Sequence, residues 1–243
     1  MSEPLVSCIV PVHNCERFLG AALESVLAQT QAATEPIVVD DGSTDGSADV
    51  ARSFGEAVAY VYQANAGHAA ARNRGLELAR GDFVAFLDAD DLWLPDKLER
   101  QLGRFAERPG LELCFSWLRN FVEGTSPESP EAEYEDFPGY SAVTLLARRA
   151  VFERIGGFDS GLRHGNDRDW LLRAAEERVT IEMLPEVLVY RRLHGANQSL
   201  RMAESSRAEY LRIVKASLER RRARSGQGRP RPYDLGAGDR EQA

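Results

Sequence analysis

Long apolar runs are absent from this chain: no stretch approaches the ~20 residues that a membrane-spanning helix requires. The opening segment, MSEPLVSCIVPV, has no positive leader, and its apolar stretch is too short for a signal peptide. The expectation from both is a soluble, cytoplasmic protein. Cysteine is scarce too. Cys8, Cys15 and Cys114 show no CxxC or metal-ligand spacing, which excludes a disulfide framework and a thiolate zinc site and fits packing in a reducing compartment. An excess of basic charge is lacking as well: the formal charge is −8, which argues against a nucleic-acid partner, since phosphates must be met by a basic surface. It leaves room for a phosphate-bearing ligand, because a bound divalent cation lets acidic residues hold a diphosphate. Finally, there is no GxxxxGK[ST] and no GxGxxG after the first apolar run, so neither a P-loop nor a dinucleotide-binding Rossmann domain is supported.

What is present is an ordinary globular composition, 43% apolar and 28% charged over 243 residues, suited to one large domain or one domain with an appendage. The first half alternates short apolar runs with helical periodicity, the pattern of a parallel α/β domain. Strands are expected over 6–12, 36–39, 58–62 and 83–87, and helices over 16–29, 47–54, 69–79 and 95–107, the last begun by Pro95. In the second half, 111–121 reads as a strand. The acidic, proline-containing stretch 123–138 reads as a mobile loop. A strand over 140–146, helices over 149–155 and 167–177, and a final strand over 184–190 follow. A helix over 203–224 should carry Tyr210, Leu211, Val214 and Leu218 on one side, and the rest is a tail of disordered composition.

Two of the strands end in aspartates, Asp40-Asp41-Gly42-Ser43 and Asp88-Ala89-Asp90-Asp91. In open parallel sheets the ligand crevice lies beyond the carboxyl ends of the strands, so both clusters should face one crevice. A single aspartate at a strand end is commonly a turn or capping residue. Three carboxylates in four positions repel one another and call for a cation, and oxygen ligands suit Mg²⁺ or Mn²⁺ bridging to substrate phosphates.

Four segments, VSCIVPVHN (6–14), VVDDGSTDGS (38–47), NAGHAAARNRGLELARGDFVAFLDADD (65–91) and GNDRDWLLR (165–173), together resemble family 2 glycosyltransferases of the GT-A fold. Order and spacing make the match specific, and it spans about residues 4–199. The resemblance implies an α/β fold with a mostly parallel central sheet flanked by helices, and an inverting transfer from a nucleotide-diphosphate sugar, with uracil the expected base, to an acceptor hydroxyl. It implies that Pro11 and Val12 line the nucleotide pocket, that Asp41 meets the base, and that Arg72 and Asn73 lie near the nucleotide. Asp88 and Asp90 take the places of the DxD pair, the first near the ribose and the second on a Mn²⁺ or Mg²⁺ ion. Asp167 takes the place of the catalytic base, because an attacking hydroxyl must lose its proton. Asn166 stands where the family usually has glutamate. RRLHGANQS (191–199) resembles a further family segment, which makes His194 the residue that completes the metal shell or touches the diphosphate. Asp91 is expected as a helix cap, and Asp169 with Arg173 as a helix-surface ion pair.

The implied organisation is a GT-A domain over 1–202, with a nucleotide-binding half (1–110) and an acceptor-binding half (111–202), then a helix over 203–224 and a tail over 225–243. Two other readings stand beside it: a nucleotidyltransferase, which should show a glycine-rich, arginine-containing loop where this chain has PVHNCERF, and a catalytically degenerate GT-A module. The helix carries Arg207, Arg212, Lys215, Arg220, Arg221, Arg222 and Arg224. Peripheral contact with an anionic membrane and a solvated terminal helix are both open for it.

Overall fold

The structure is a computed structural model that describes residues 4–30, 33–129, 134–195 and 203–225. It opens with β1 (Leu5–Val12), α1 (Glu16–Leu27), β2 (Ala33–Asp41), α2 (Ser47–Ser53), β3 (Ala59–Gln63), α3 (His68–Leu78) and β4 (Phe83–Phe86). Strands β2, β1 and β4 lie side by side in parallel, with β3 outside β2. A parallel sheet covered on both faces has near-continuous apolar strands, and β1 shows it. Val6, Cys8, Val10 and Val12 pack in one core layer with Leu19, Leu23 and Val26 of α1, whereas Ile9 faces a second layer with Ala69 and Ala71 of α3. Cys8 and Cys114 are buried and free, as packing residues should be.

The second half adds β5 (Leu92–Trp93), α4 (Lys97–Glu107), β6 (Leu113–Val122), β7 (Asp136–Pro138), β8 (Leu146–Arg148), α5 (Arg149–Ile155), α6 (Asn166–Glu176), β9 (Ile181–Leu193) and α7 (Ala203–Ser225). The main sheet runs β3-β2-β1-β4-β8-β6-β9-β5, with β7 on β6. Strand β8 is antiparallel to both neighbours, so the sheet is mostly parallel at one end and mixed at the other. Helix α6 joins the second core layer through Trp170, stacked on Phe152 at 4.3 Å.

The structure corrects several expectations. Within 123–138, the end is a strand: Asp136 on β7 meets Arg119 on β6 through two hydrogen bonds of 2.7 and 2.8 Å, a paired fork that fixes the strand edge. Residues 130–133 lie outside the described residues, as do 196–202 and 226–243. The strand expected over 140–146 is a 3₁₀ turn at Ala142–Thr144 leading into β8. The Thr144 hydroxyl bonds the carbonyls of Gly139 and Ser141, local bonds that compete with sheet pairing. Helix α4 starts two residues after Pro95. The last strand is longer than expected and holds Pro185, opposite a register shift in β6, since proline cannot donate to the ladder. On α7, Leu211, Val214 and Leu218 are exposed. Tyr210, expected on their side, lies on the docked side with Ile213, Ser217 and Arg220, where the polar groups have partners on α6 and the turn before it.

Candidate active site

The loops after β1 and β2 are stitched together by the polar residues of the first two motifs. Asn14 N–H donates to Ser43 Oγ at 3.0 Å, and Thr44 N–H donates to Asn14 Oδ1 at 2.7 Å. Cys15 N–H donates to Ser47 Oγ at 2.9 Å, and Glu16 and Asp45 exchange bonds with the same backbone. These bonds tie the two loops together at the end of β1, where Pro11 and Val12 are buried.

Asp40 is a turn residue: its carboxylate accepts from Ser43 N–H at 2.8 Å and from Tyr60 Oη at 2.7 Å. Asp41 reaches further. It accepts from Gln63 Nε2 at 2.7 Å, Ala66 N–H at 2.8 Å and Gly67 N–H at 2.9 Å, which anchors the loop entering α3. Gly42, the next residue, has φ of +74°, and a Cβ there would sit 2.8 Å from the Asn65 amide nitrogen. Only glycine suits that turn.

At the end of β4 the aspartates take three different roles. Asp88 Oδ1 accepts from Arg72 Nη2 at 2.9 Å and stands 3.2 Å from His68 Nε2. Burial raises its pKa, but Arg72 and His68 outweigh burial and hold the carboxyl well below its ordinary range. Asp90 Oδ2 lies 2.8 Å from His194 Nε2, and the His194 ring packs 4.8 Å from that of Phe18. Asp91 caps no helix. Its Oδ1 accepts from the backbone N–H of Arg192 at 2.9 Å, pinning β9 beneath the turn. Burial, with Asp90 and Asp88 nearby, pushes its carboxyl well above the ordinary value. Arg192 also donates from Nε to the Asp90 carbonyl at 3.0 Å, its guanidinium between the rings of Phe18 and Phe121.

Asp90 and His194, one carboxylate and one imidazole in contact, are the residues that could together hold a divalent cation. Asp88 is engaged elsewhere, by Arg72 and His68. Among the described residues no group of three or more His, Cys, Asp or Glu side chains is gathered as a metal array.

Asp167 lies in the first turn of α6 and accepts from Arg168 N–H at 2.9 Å. A carboxylate there is favoured by the helix dipole. It lines a small cavity with Phe115, Tyr140, Ser141 and Trp170. Beside it, Asn166 Oδ1 accepts from Arg72 Nη1 at 3.1 Å. Arg72 is thus buried between Asp88 and Asn166, and it brings the turn after β4 and the start of α6 together. Asn73, in contrast, is spent on the backbone N–H and carbonyl of Phe158 at 2.8 Å each. Asp169 pairs with Arg173 at 2.9 Å, but it is buried and not on the helix surface. His68 went unnoticed in the sequence, whereas Arg192 stood open between a phosphate contact and a solvated surface residue and is found bonded to the Asp90 carbonyl. The i, i+4 spacing of His68 and Arg72 on one helix face was a usable signal for the first.

Helix α7 braces the turn that presents Asp167. Glu209 accepts from the backbone N–H groups of Arg163 and His164 at 3.2 and 2.7 Å. Gly165 has φ of +69°, with its missing Cβ facing Tyr210 and Ile213 at 2.9 and 3.0 Å. Farther along, Arg220 and Ser217 bond Glu176 at 2.8 and 2.6 Å.

This arrangement, parallel strands ending in acidic turns that Arg72 ties to the start of the helix carrying Asp167, is that of a GT-A glycosyltransferase. Residues 7–168 match the profile of Glycosyl transferase family 2, and the chain belongs to that family. An uncharacterized glycosyltransferase of Rickettsia typhi is 31% identical over 224 residues, 86% of this chain and 70% of that relative. The putative glycosyltransferase EpsH of Bacillus subtilis is 35% identical over 65% of this chain and 46% of its own length. Among solved structures, S. aureus TarS 1–349 in complex with UDP-GlcNAc superposes with a TM-score of 0.72 at 21% identity, covering 87% of this chain and 65% of that one. The mannosyltransferase PcManGT from Pyrobaculum calidifontis, in complex with GDP-Man and Mn²⁺, gives 0.62 at 20% identity, covering 83% and 60%. The chain thus spans 46–70% of these relatives' own lengths.

Proposed function

We propose that this glycosyltransferase moves a sugar from a nucleoside diphosphate, UDP first among the candidates, to an acceptor hydroxyl with inversion at the anomeric carbon. The observation that carries the reading is the Asp88–Arg72–Asn166 chain, which sets the helix bearing Asp167 across from the DxD turn. TarS with UDP-GlcNAc and PcManGT with GDP-Man supply the class of donor by similarity of fold. Pro11, Val12 and Asp41 are the residues against which the nucleoside would sit. Arg72, with His68, keeps Asp88 ionised, and that carboxylate would meet the ribose.

Asp90 and His194 are the residues that would hold Mn²⁺ or Mg²⁺, and a bound ion there would neutralise the charge of the departing diphosphate. Asp167 takes the proton of the attacking hydroxyl; a positioned carboxylate contributes about 10²–10⁴-fold in such a role. In the single displacement, the acceptor oxygen bonds the anomeric carbon as the bond to the diphosphate oxygen breaks. The proton ends on Asp167.

The test is calorimetric titration with UDP, with and without Mn²⁺, on the native chain and on Asp90→Ala. Metal-dependent binding that disappears in the variant supports the donor site. If UDP, dTDP and GDP all fail to bind a folded protein, the reading falls and the degenerate-module reading replaces it.

A further inference from the structure

Helix α7 has two working faces, and the docking on α6 uses one of them. The other presents Leu211, Val214 and Leu218, exposed by 68, 50 and 46%. Spaced by three and four residues, they form one line along the helix. Three of the seven large apolar side chains that stand exposed among the described residues are on this one strip. Exposed Arg207, Lys215, Arg221 and Arg222 lie in and beside the line. Glu219, 3.9 Å from Lys215, is the one exposed acidic residue among the described side chains of the helix. The strip is cationic in a chain whose formal charge is −8, so the charge is concentrated here against the overall balance.

An apolar line edged by cations is the pattern of a helix that lies in the interfacial plane of an anionic bilayer, with aliphatic groups among the acyl chains and cations at the headgroups. We propose that the outer face of α7 seats this enzyme on an anionic membrane surface. A second copy of the chain is a poorer occupant, because a two-fold contact would bring like cations together. Nucleic acid is poorer still, because the aliphatic line offers phosphates nothing. The inner face of α7 stays docked on α6 throughout, so the membrane and the turn bearing Asp167 share one rigid helix. The inference does not depend on the transfer chemistry.

The test is co-sedimentation of the full chain with vesicles of equimolar phosphatidylglycerol and phosphatidylcholine, and with phosphatidylcholine alone. The native protein should pellet with the anionic vesicles, and added salt should weaken the binding. Leu211→Ser/Val214→Ser/Leu218→Ser should remain in the supernatant. Lys215→Gln/Arg222→Gln should bind about 25-fold more weakly, at about fivefold per cation. All these side chains are exposed, so an unchanged melting temperature and unchanged UDP titration in the variants separate loss of this surface from loss of the fold or of the donor site. Native protein left in the supernatant with anionic vesicles, or equal pelleting of native and triple variant, overturns the proposal. A concentration-dependent dimer that the triple substitution abolishes, without vesicle binding, would give the face to a second copy instead.

Discussion

Arg72 donates to Asp88 at 2.9 Å through one guanidinium nitrogen and to Asn166 at 3.1 Å through another. It does so from a buried position, its guanidinium carbon 5.4 Å from the centre of the Phe158 ring. One side chain thus joins the strand-end turn of the donor half to the first residue of the helix that carries the proposed base. A planar fork can make both bonds at once, and a lysine ammonium on its flexible stem cannot match that geometry. Arg72→Lys should keep a positive charge beside Asp88 and lose the bond to Asn166. The expected outcome is a stability loss of about 1–2 kcal/mol in urea unfolding. Transfer should fall more steeply than UDP affinity, since the turn and helix are no longer held in register.

Asp90→Asn and His194→Ala should each weaken Mn²⁺ binding in the presence of UDP, read by titration with the paramagnetic ion. Asp88→Asn should behave differently. Its carboxylate is engaged by Arg72 and His68, so UDP affinity should suffer while the affinity of the UDP complex for Mn²⁺ changes less. Equal effects of Asp88→Asn and Asp90→Asn on the metal would show that Asp88 also serves as a ligand.

Asp167→Asn should lower turnover by about 10²–10⁴-fold with donor binding unchanged, because only proton transfer is removed. Gly165→Ala tests the same helix from behind. A methyl group there meets Tyr210 and Ile213 at a backbone angle that disfavours side chains, so turnover and melting temperature should fall together. Turnover that survives Gly165→Ala would show that α7 does not set the position of Asp167.

The alternation of the first half was legible because strands buried on both faces are continuous apolar runs, and those runs stop at β1, β2 and β4 close to where the chain turns. The aspartate clusters were legible as clusters, but the partner of Asp91 was not. Asp91 looked like a helix cap, and its partner is the backbone of Arg192, about a hundred residues away, a pairing no local pattern reveals. The same holds for β8, three residues inserted between β4 and β6, and for β5, two residues long. On the helix at 203–224, Tyr210 was grouped with Leu211, Val214 and Leu218, but it lies against Gly165 while those three face outward. The docked side is chosen by Glu176 and Glu209, which wait for Arg220 and for the Arg163 and His164 amides.

Lys97 supplies a last prediction, about pH. It is fully buried in the first core layer, its Nζ 2.8 Å from Gln101 Oε1 and 4.2 Å from the centre of the Trp93 ring. No salt bridge to a carboxylate is found for it among the described residues. Burial lowers its pKa from 10.5 to about 7, partly opposed by Cys8 and Cys114. The unfolded chain therefore holds this proton up to a higher pH than the folded chain does. Between about pH 7 and 10.5 the unfolded state binds more protons, so stability from this group rises with pH across that window. Below pH 7 the penalty of a buried charge is present in full, at most about 5 kcal/mol at 1.36 kcal/mol per pKa unit. Lys97→Met keeps most of the volume and removes the titration, at the cost of leaving Gln101 Oε1 without its donor. Urea unfolding at pH 6, 8 and 9.5 should show the native midpoint climbing and the variant's nearly level, the two converging at the alkaline end. Parallel curves for the two proteins would mean that Lys97 keeps an ordinary pKa in the core, held there by the Trp93 face and the Gln101 amide.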